Sequence, residues 1–112
     1  MSAPLDSLRE LVSRVSANPS LLASLAKAEK VFQFKPTDGG PFYLHIKPGS
    51  LEAAAGEGPN PVATIIASSQ DLADVFAGKA DPFKLFFAGK LRVQGNVLEA
   101  QELARLLGSA RG

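Results

Sequence analysis

A chain of 112 residues with twelve Lys and Arg against eleven Asp and Glu supports one hydrophobic core but not two, so a single domain over 1–112 is expected. Its net charge of +1, with both signs mixed along the chain, offers no basic stripe for nucleic acid and no acidic tail. The lack of cysteine excludes disulfide frameworks, thiolate metal sites and cysteine nucleophiles together.

Leu5, Leu8, Val12 and Val15 recur at three- and four-residue spacing, Leu11 widens the stripe, and Arg9, Glu10 and Arg14 lie off it. This pattern predicts an amphipathic helix. The same opening stretch, MSAPLDSLRELVSR, lacks the uninterrupted apolar core of a signal peptide. Asn18-Pro19 restarts the chain, with Asn as cap and Pro at a first-turn position whose N–H has no helical partner. Leu21, Leu22 and Leu25 give a second helix its apolar face.

From Val31 the period changes to two. Phe32 and Phe34 fall on one side of residues 31–35, and Phe42, Leu44 and Ile46 alternate with Tyr43, His45 and Lys47. With the turn Thr37-Asp-Gly-Gly40 between them, the two runs predict an antiparallel hairpin with one buried face. Pro48-Gly49 turns the chain again. A weak, alanine-rich strand over 51–55, a loop over 56–61 and a β-branched strand at Thr64-Ile65-Ile66 follow.

The last third is helical and heavily punctuated. Ser68 or Ser69 caps a helix with Leu72, Val75 and Phe76 on one face, and Gly78 ends it. Asp81-Pro82 starts a short helix carrying Phe83, Phe86 and Phe87, which Gly89 ends. Leu91 and Val93 alternate in a strand closed by Gly95. Asn96 with Glu99 three residues on has the spacing of a capping box, and Val97, Ala100, Leu103, Ala104 and Leu107 give the final helix an apolar stripe that Gly108 stops. The order ααββββααβα predicts an α+β domain, one mainly antiparallel sheet with helices covering one face. No apolar run approaches the ~18 residues needed to cross a bilayer, so a soluble, compact domain is expected.

The chain carries little that reads as chemistry. His45 is the only histidine, which rules out a site of several imidazoles. Ser68, His45 and Asp71 make a triad only on paper, since no nucleophile elbow is present. Gly89-Lys90 is followed by Leu91, without the Ser or Thr of a phosphate loop. No catalytic residue, metal or cofactor is therefore expected. Three phenylalanines on one short helix are the outstanding feature, because so much aromatic area needs a protein core or an apolar ligand to cover it.

The run Phe42-Tyr-Leu-His-Ile-Lys47, then Gly49, Gly56, Ala63-Thr-Ile65, Ser68, Asp71-Leu72, Gly78-Lys79, Asp81-Pro82, Phe86 or Phe87, and Gly89-Lys-Leu-Arg-Val-Gln-Gly-Asn96 resembles the sterol carrier protein type 2 family. The resemblance covers about residues 31–107. It departs from the family's pattern at His45, where many members carry aspartate, and at Pro61-Val62, where many carry Ala-Asp. The final residues, Ser109-Ala-Arg-Gly112, differ from the Ser-Lys-Leu-like ending of peroxisomal members, so a cytoplasmic member is expected.

The resemblance implies a five-stranded sheet with a hydrophobic tunnel between sheet and helices, for sterols, fatty acyl chains, acyl-CoA or phospholipids. The lining it implies draws on Phe32, Phe34, Leu44 and Ile46 of the hairpin, Ile65, and Leu72, Val75 and Phe76. Phe83, Phe86, Phe87, Leu91, Val93, Leu103 and Leu107 complete it. One of Phe86 and Phe87 is expected to lock its helix to the sheet and the other to face the ligand. Lys79, Lys84, Lys90 and Arg92 form a basic patch suited to anionic headgroups, through transient contact with a membrane surface. The expected function is binding and transfer of apolar lipids by a non-catalytic monomer that does not bind nucleic acid. The competing expectation is an accessory, protein-interaction module with the same fold and a filled core.

Overall fold

The computed structural model describes residues 3–111, without the side chains of Leu25 and of residues 109–111. Expectations that involve Leu25 or the extreme chain ends fall outside the described residues. The elements are α1 (Ala3–Ser16), α2 (Pro19–Leu25), β1 (Lys30–Pro36), β2 (Phe42–Lys47), β3 (Ser50–Ala55), β4 (Ala63–Ala67), α3 (Ser69–Phe76), α4 (Pro82–Phe87), β5 (Arg92–Gly95) and α5 (Val97–Arg111). The five strands form one sheet in the order β3-β2-β1-β4-β5. Every neighbouring pair is antiparallel except β1 and β4, which run parallel.

Register fixes what faces the helices. Phe34 sits opposite Phe42 on one side and Ile65 on the other, and Ile65 sits opposite Val93. Because side chains alternate across a strand, these residues share the inner face with Phe32, Leu44, Ile46 and Ala63. Phe34 and Phe42 stack at 5.1 Å, and Phe76 of α3 meets Phe34 edge-on at 5.2 Å. Leu5, Leu8 and Leu11 of α1 join the same core. Val12, expected on the main stripe, is only partly buried, and Leu11 is fully buried instead.

The hairpin's outer face departs from the expected pattern. Residues 31–34 are all buried, where alternation predicted one buried face. The parallel β1–β4 pairing explains this, because the chain must travel from the edge strand β3 past β2 and β1 to reach β4. Residues 56–62 make that crossing over the outer face. Gly58 lies so close to Val31 and Tyr43 that a Cβ there would stand 2.7 Å and 2.9 Å from their side chains. Gln33 holds the crossing down. Its Nε2 donates to the Phe42 and Gly56 carbonyls at 2.9 and 3.1 Å, and its Oε1 accepts from the Gly58 N–H at 2.8 Å. A buried amide is tolerated when its polar atoms are partnered in this way.

The helix ends follow the sequence with two corrections. Ser68 Oγ accepts from the Asp71 N–H at 3.0 Å, so Ser68 is the cap of α3, while the Ser69 N–H donates to Asp38 Oδ1 at 2.8 Å. Past α3 and α4, Gly78 and Gly89 adopt positive φ. The next N–H groups, from Lys79 and Lys90, return to the Asp74 and Leu85 carbonyls, closing both helices as Schellman motifs. At α5, Asn96 caps the Glu99 N–H at 3.1 Å, but Glu99 does not complete a capping box. Its carboxylate is 2.7 Å from Lys30 Nζ, and the Asn96 N–H donates to the Val62 carbonyl instead. Gly108 does not stop α5, which continues to Arg111. Its φ is not positive and its surroundings are open, so it supplies no left-handed terminus.

Candidate functional site

Between the inner face of the sheet and α3, α4 and α5 lies an apolar cavity of about 130 Å³. Phe34, Ile65, Leu72, Val75 and Phe76 form its buried floor, and Leu91, Leu103 and Leu107 its buried walls. The rim is different. Phe83, Phe86, Phe87 and Val97 line the same space while remaining 36%, 40%, 83% and 39% exposed. The cavity therefore opens to solvent where α4 meets the start of α5.

The short helix α4 shows how the rim is built. Asp81 Oδ1 accepts from the Phe83 N–H at 2.9 Å, Pro82 occupies the first turn, and none of its six residues is buried. Successive helical residues turn by about 100°, so Phe86, Phe83 and Phe87 fall within one arc of about 100° with Leu85 opposite them. Leu85 is the residue packed against the core. The expectation that Phe86 or Phe87 locks the helix to the sheet is thus corrected. The phenylalanine arc points away from the side that Leu85 anchors. Phe86 and Phe87 contact each other edge-on at 5.7 Å.

Of the remaining residues expected in the lining, Val93 reaches the cavity. Leu91 does so from the closing turn of α4 rather than from β5, because its N–H returns to the Leu85 carbonyl. Phe32 and Ile46 face a second, more polar cavity of about 250 Å³ with Lys27, Lys30, Glu99 and Glu102. Leu103 borders both spaces. Leu44 borders neither, since it lies mid-sheet between Phe32 and Ala53 and is plain core. Sequence reasoning left Pro82, Val97, Ala100, Gln101 and Ala104 out of the lining. The α5 stripe contained Val97, Ala100 and Ala104, and the small size of the alanines is what leaves room there.

The four cations do not make one patch. All are exposed and none forms an ion pair among the described residues. Lys84 belongs to α4, and Lys79 and Lys90 follow the glycines that close α3 and α4. Arg92 pairs with Ile66 and therefore shares the outer sheet face with Lys35, away from the cavity.

The paper triad is not assembled. Ser68 and Asp71 serve the α3 cap, whereas His45 lies on the outer face with Nε2 2.8 Å from Glu29 Oε2. Among the described residues no group of three His, Cys, Asp or Glu could hold a metal ion. Among those residues, too, no helix is long and apolar enough to cross a membrane.

The apolar cavity between the sheet and the helices on its inner face is the candidate site, and comparison with known proteins identifies the family. Residues 8–108 match the model of the SCP-2 sterol transfer family, and the chain belongs to that family, one of lipid binding and transfer. It is 37% identical over 86 residues to the mouse peroxisomal multifunctional enzyme type 2, and 33% identical over 93 residues to the bovine hydroxysteroid dehydrogenase-like protein 2. These matches cover 72% and 79% of this chain but only 12% and 22% of those proteins. Their enzymatic names belong to far longer chains.

Among solved structures, the sterol carrier protein domain 2 of Helicoverpa armigera superposes with a TM-score of 0.74 at 27% identity, covering 94% of this chain and 85% of that one. The apo form of sterol carrier protein 2 from Yarrowia lipolytica gives 0.65 at 26% identity, with 96% and 89% covered.

Proposed function

We propose that this domain binds and carries lipids with a long acyl chain, holding the chain in the cavity between sheet and helices and performing no chemistry on it. The observation that carries the reading is a cavity with a fully buried apolar floor and a rim of exposed phenylalanines. An accessory module with a filled core has no use for that space.

The cavity size sets a condition. A dry apolar cavity of about 150 Å³ accepts a benzene ring, so 130 Å³ takes only about six carbons. At about 0.8 kcal/mol per methylene, six carbons contribute roughly 5 kcal/mol, and a whole sixteen-carbon chain roughly 12 kcal/mol. Subtracting at least ~4 kcal/mol for immobilisation, only the whole chain reaches micromolar affinity. Full occupancy therefore requires the rim to part. α4 suits that movement, being too short to be stable alone, without a buried residue, and preceded and followed by glycine closures.

Displacement of an environment-sensitive fatty acid probe tests the reading, since the chain has no tryptophan to report binding. Competition by palmitate or oleate at micromolar concentration is expected. Failure of saturated, unsaturated and sterol ligands alike to bind or compete refutes it. The reading includes a monomeric, cytoplasmic protein. Light scattering and imaging of the tagged full-length protein check those parts, with a peroxisomal signal contradicting the second.

A further inference from the structure

We propose that the rim formed by α4 and the first turn of α5 is the surface by which the domain docks on anionic lipid bilayers, with Phe87 and Leu98 entering the interface. The inference rests on the cavity holding lipid and adds where that lipid is exchanged. Five large apolar side chains are exposed among the described residues, and all belong to these two segments: Phe83, Phe86, Phe87, Val97 and Leu98. The three rings of α4 together leave roughly 300 Å² facing water, the size of the largest apolar patch on a typical monomer, which is often a functional one. Helix α1 offers no comparable face, since Leu5, Leu8, Leu11 and Val15 are buried in the core.

Leu98 separates docking from ligand holding. It is 75% exposed and lines neither cavity, so no ligand explains its exposure.

Charge favours a bilayer as the occupant. Lys84 lies beside Phe87 on the surface of α4, Lys90 follows that helix, and neither has an anionic partner among the described residues. The nearest acids by sequence are already committed, Asp81 to the α4 cap and Glu99 to Lys30. Unpaired cations around an apolar rim match anionic headgroups above an acyl interior. Because the cavity opens at this same rim, a lipid leaving it enters the acyl phase without crossing water.

The test is cosedimentation of the full chain with phosphatidylcholine vesicles, with and without phosphatidylserine, across a range of salt. Wild-type protein is expected to bind the anionic vesicles and to be released as salt screens its cations. Leu98→Glu is expected to weaken that partitioning about tenfold or more, while fatty acid probe binding in vesicle-free buffer stays at the wild-type level. Glutamate at the second helical position suits the α5 N-terminus, so the fold is retained. Leu98→Gln, with a smaller loss and no added charge, serves should the first variant misfold.

Equal sedimentation of wild type and both variants overturns the proposal, as does wild-type protein that ignores anionic vesicles. A dimer mass in light scattering that Leu98→Glu abolishes, without vesicle binding, also overturns it by making a second copy the occupant. Loss of probe binding in the wild type marks failure of the underlying lipid reading instead.

Discussion

Replacing Ala104 with phenylalanine places a ring where the ligand is expected to lie. Ala104 is half-buried on α5 and lines the apolar cavity with Leu103 and Leu107. At 130 Å³, against about 150 Å³ for a cavity that accepts benzene, one phenyl ring occupies most of the space. Burying that ring gains about 1.5–3 kcal/mol, and forcing neighbours to adjust costs about 1–3 kcal/mol. The net change in stability is thus between a loss of about 1.5 and a gain of about 2 kcal/mol, and the melting temperature stays within roughly 15 °C of wild type. Ligand binding responds far more strongly. Removing room for six carbons forfeits roughly 5 kcal/mol, more than a thousandfold in affinity. Probe titration and urea unfolding of the same preparation are the assays. A folded Ala104→Phe protein that binds the fatty acid probe with wild-type affinity refutes the assignment of this cavity.

Five further expectations follow from particular positions. Phe76→Ala, at a 2% exposed ring packed against Phe34 and Phe42, is expected to cost about 3–5 kcal/mol in urea unfolding. Phe87→Ala, at an 83% exposed ring, is expected to cost under about 1 kcal/mol, because little packing is lost, while weakening probe binding. Gly95→Ala is expected to cost at least ~2 kcal/mol, since φ is +92° and its Cβ would lie 2.9 Å from the Val62 carbonyl oxygen. Gly108→Ala, in open space within a continuing helix, is expected to stabilise by up to about 1 kcal/mol. The Ser69 N–H holds the Asp38 carboxyl below its usual range. Because the folded-state pKa is depressed, its stabilising contribution is present at neutral pH and lost as pH falls through the carboxylate range. Asp38→Ala is therefore expected to lower the urea midpoint at pH 7, by an amount that shrinks as pH falls below the usual carboxylate range.

Much of the fold was legible because its signals are local. The period-2 runs, the glycine closures after α3 and α4, and the Asn18, Asp81 and Asn96 caps all depend on residues a few positions apart. The parallel β1–β4 pairing was not legible, since it brings residues 31–36 beside 62–67 with no hairpin turn to announce it. The burial of Val31 and Gln33 was hidden for the same reason. Glu99 shows the limit of a motif at the candidate site. Its spacing from Asn96 suits a capping box, yet Lys30, 69 residues away in sequence, takes the carboxylate. Composition alone could not assign Phe86 and Phe87 to core or rim, because the answer depends on Leu85 anchoring the opposite side of α4.

The central claim, that a lipid chain occupies this cavity, is tested most directly by native mass spectrometry of the full chain purified from cells without detergent. The account predicts adduct masses of acyl lipids on wild-type protein at near-stoichiometric level, released on denaturation and absent from folded Ala104→Phe. Wild-type protein that appears only at its bare chain mass, and stays bare after incubation with palmitate or oleate, contradicts it.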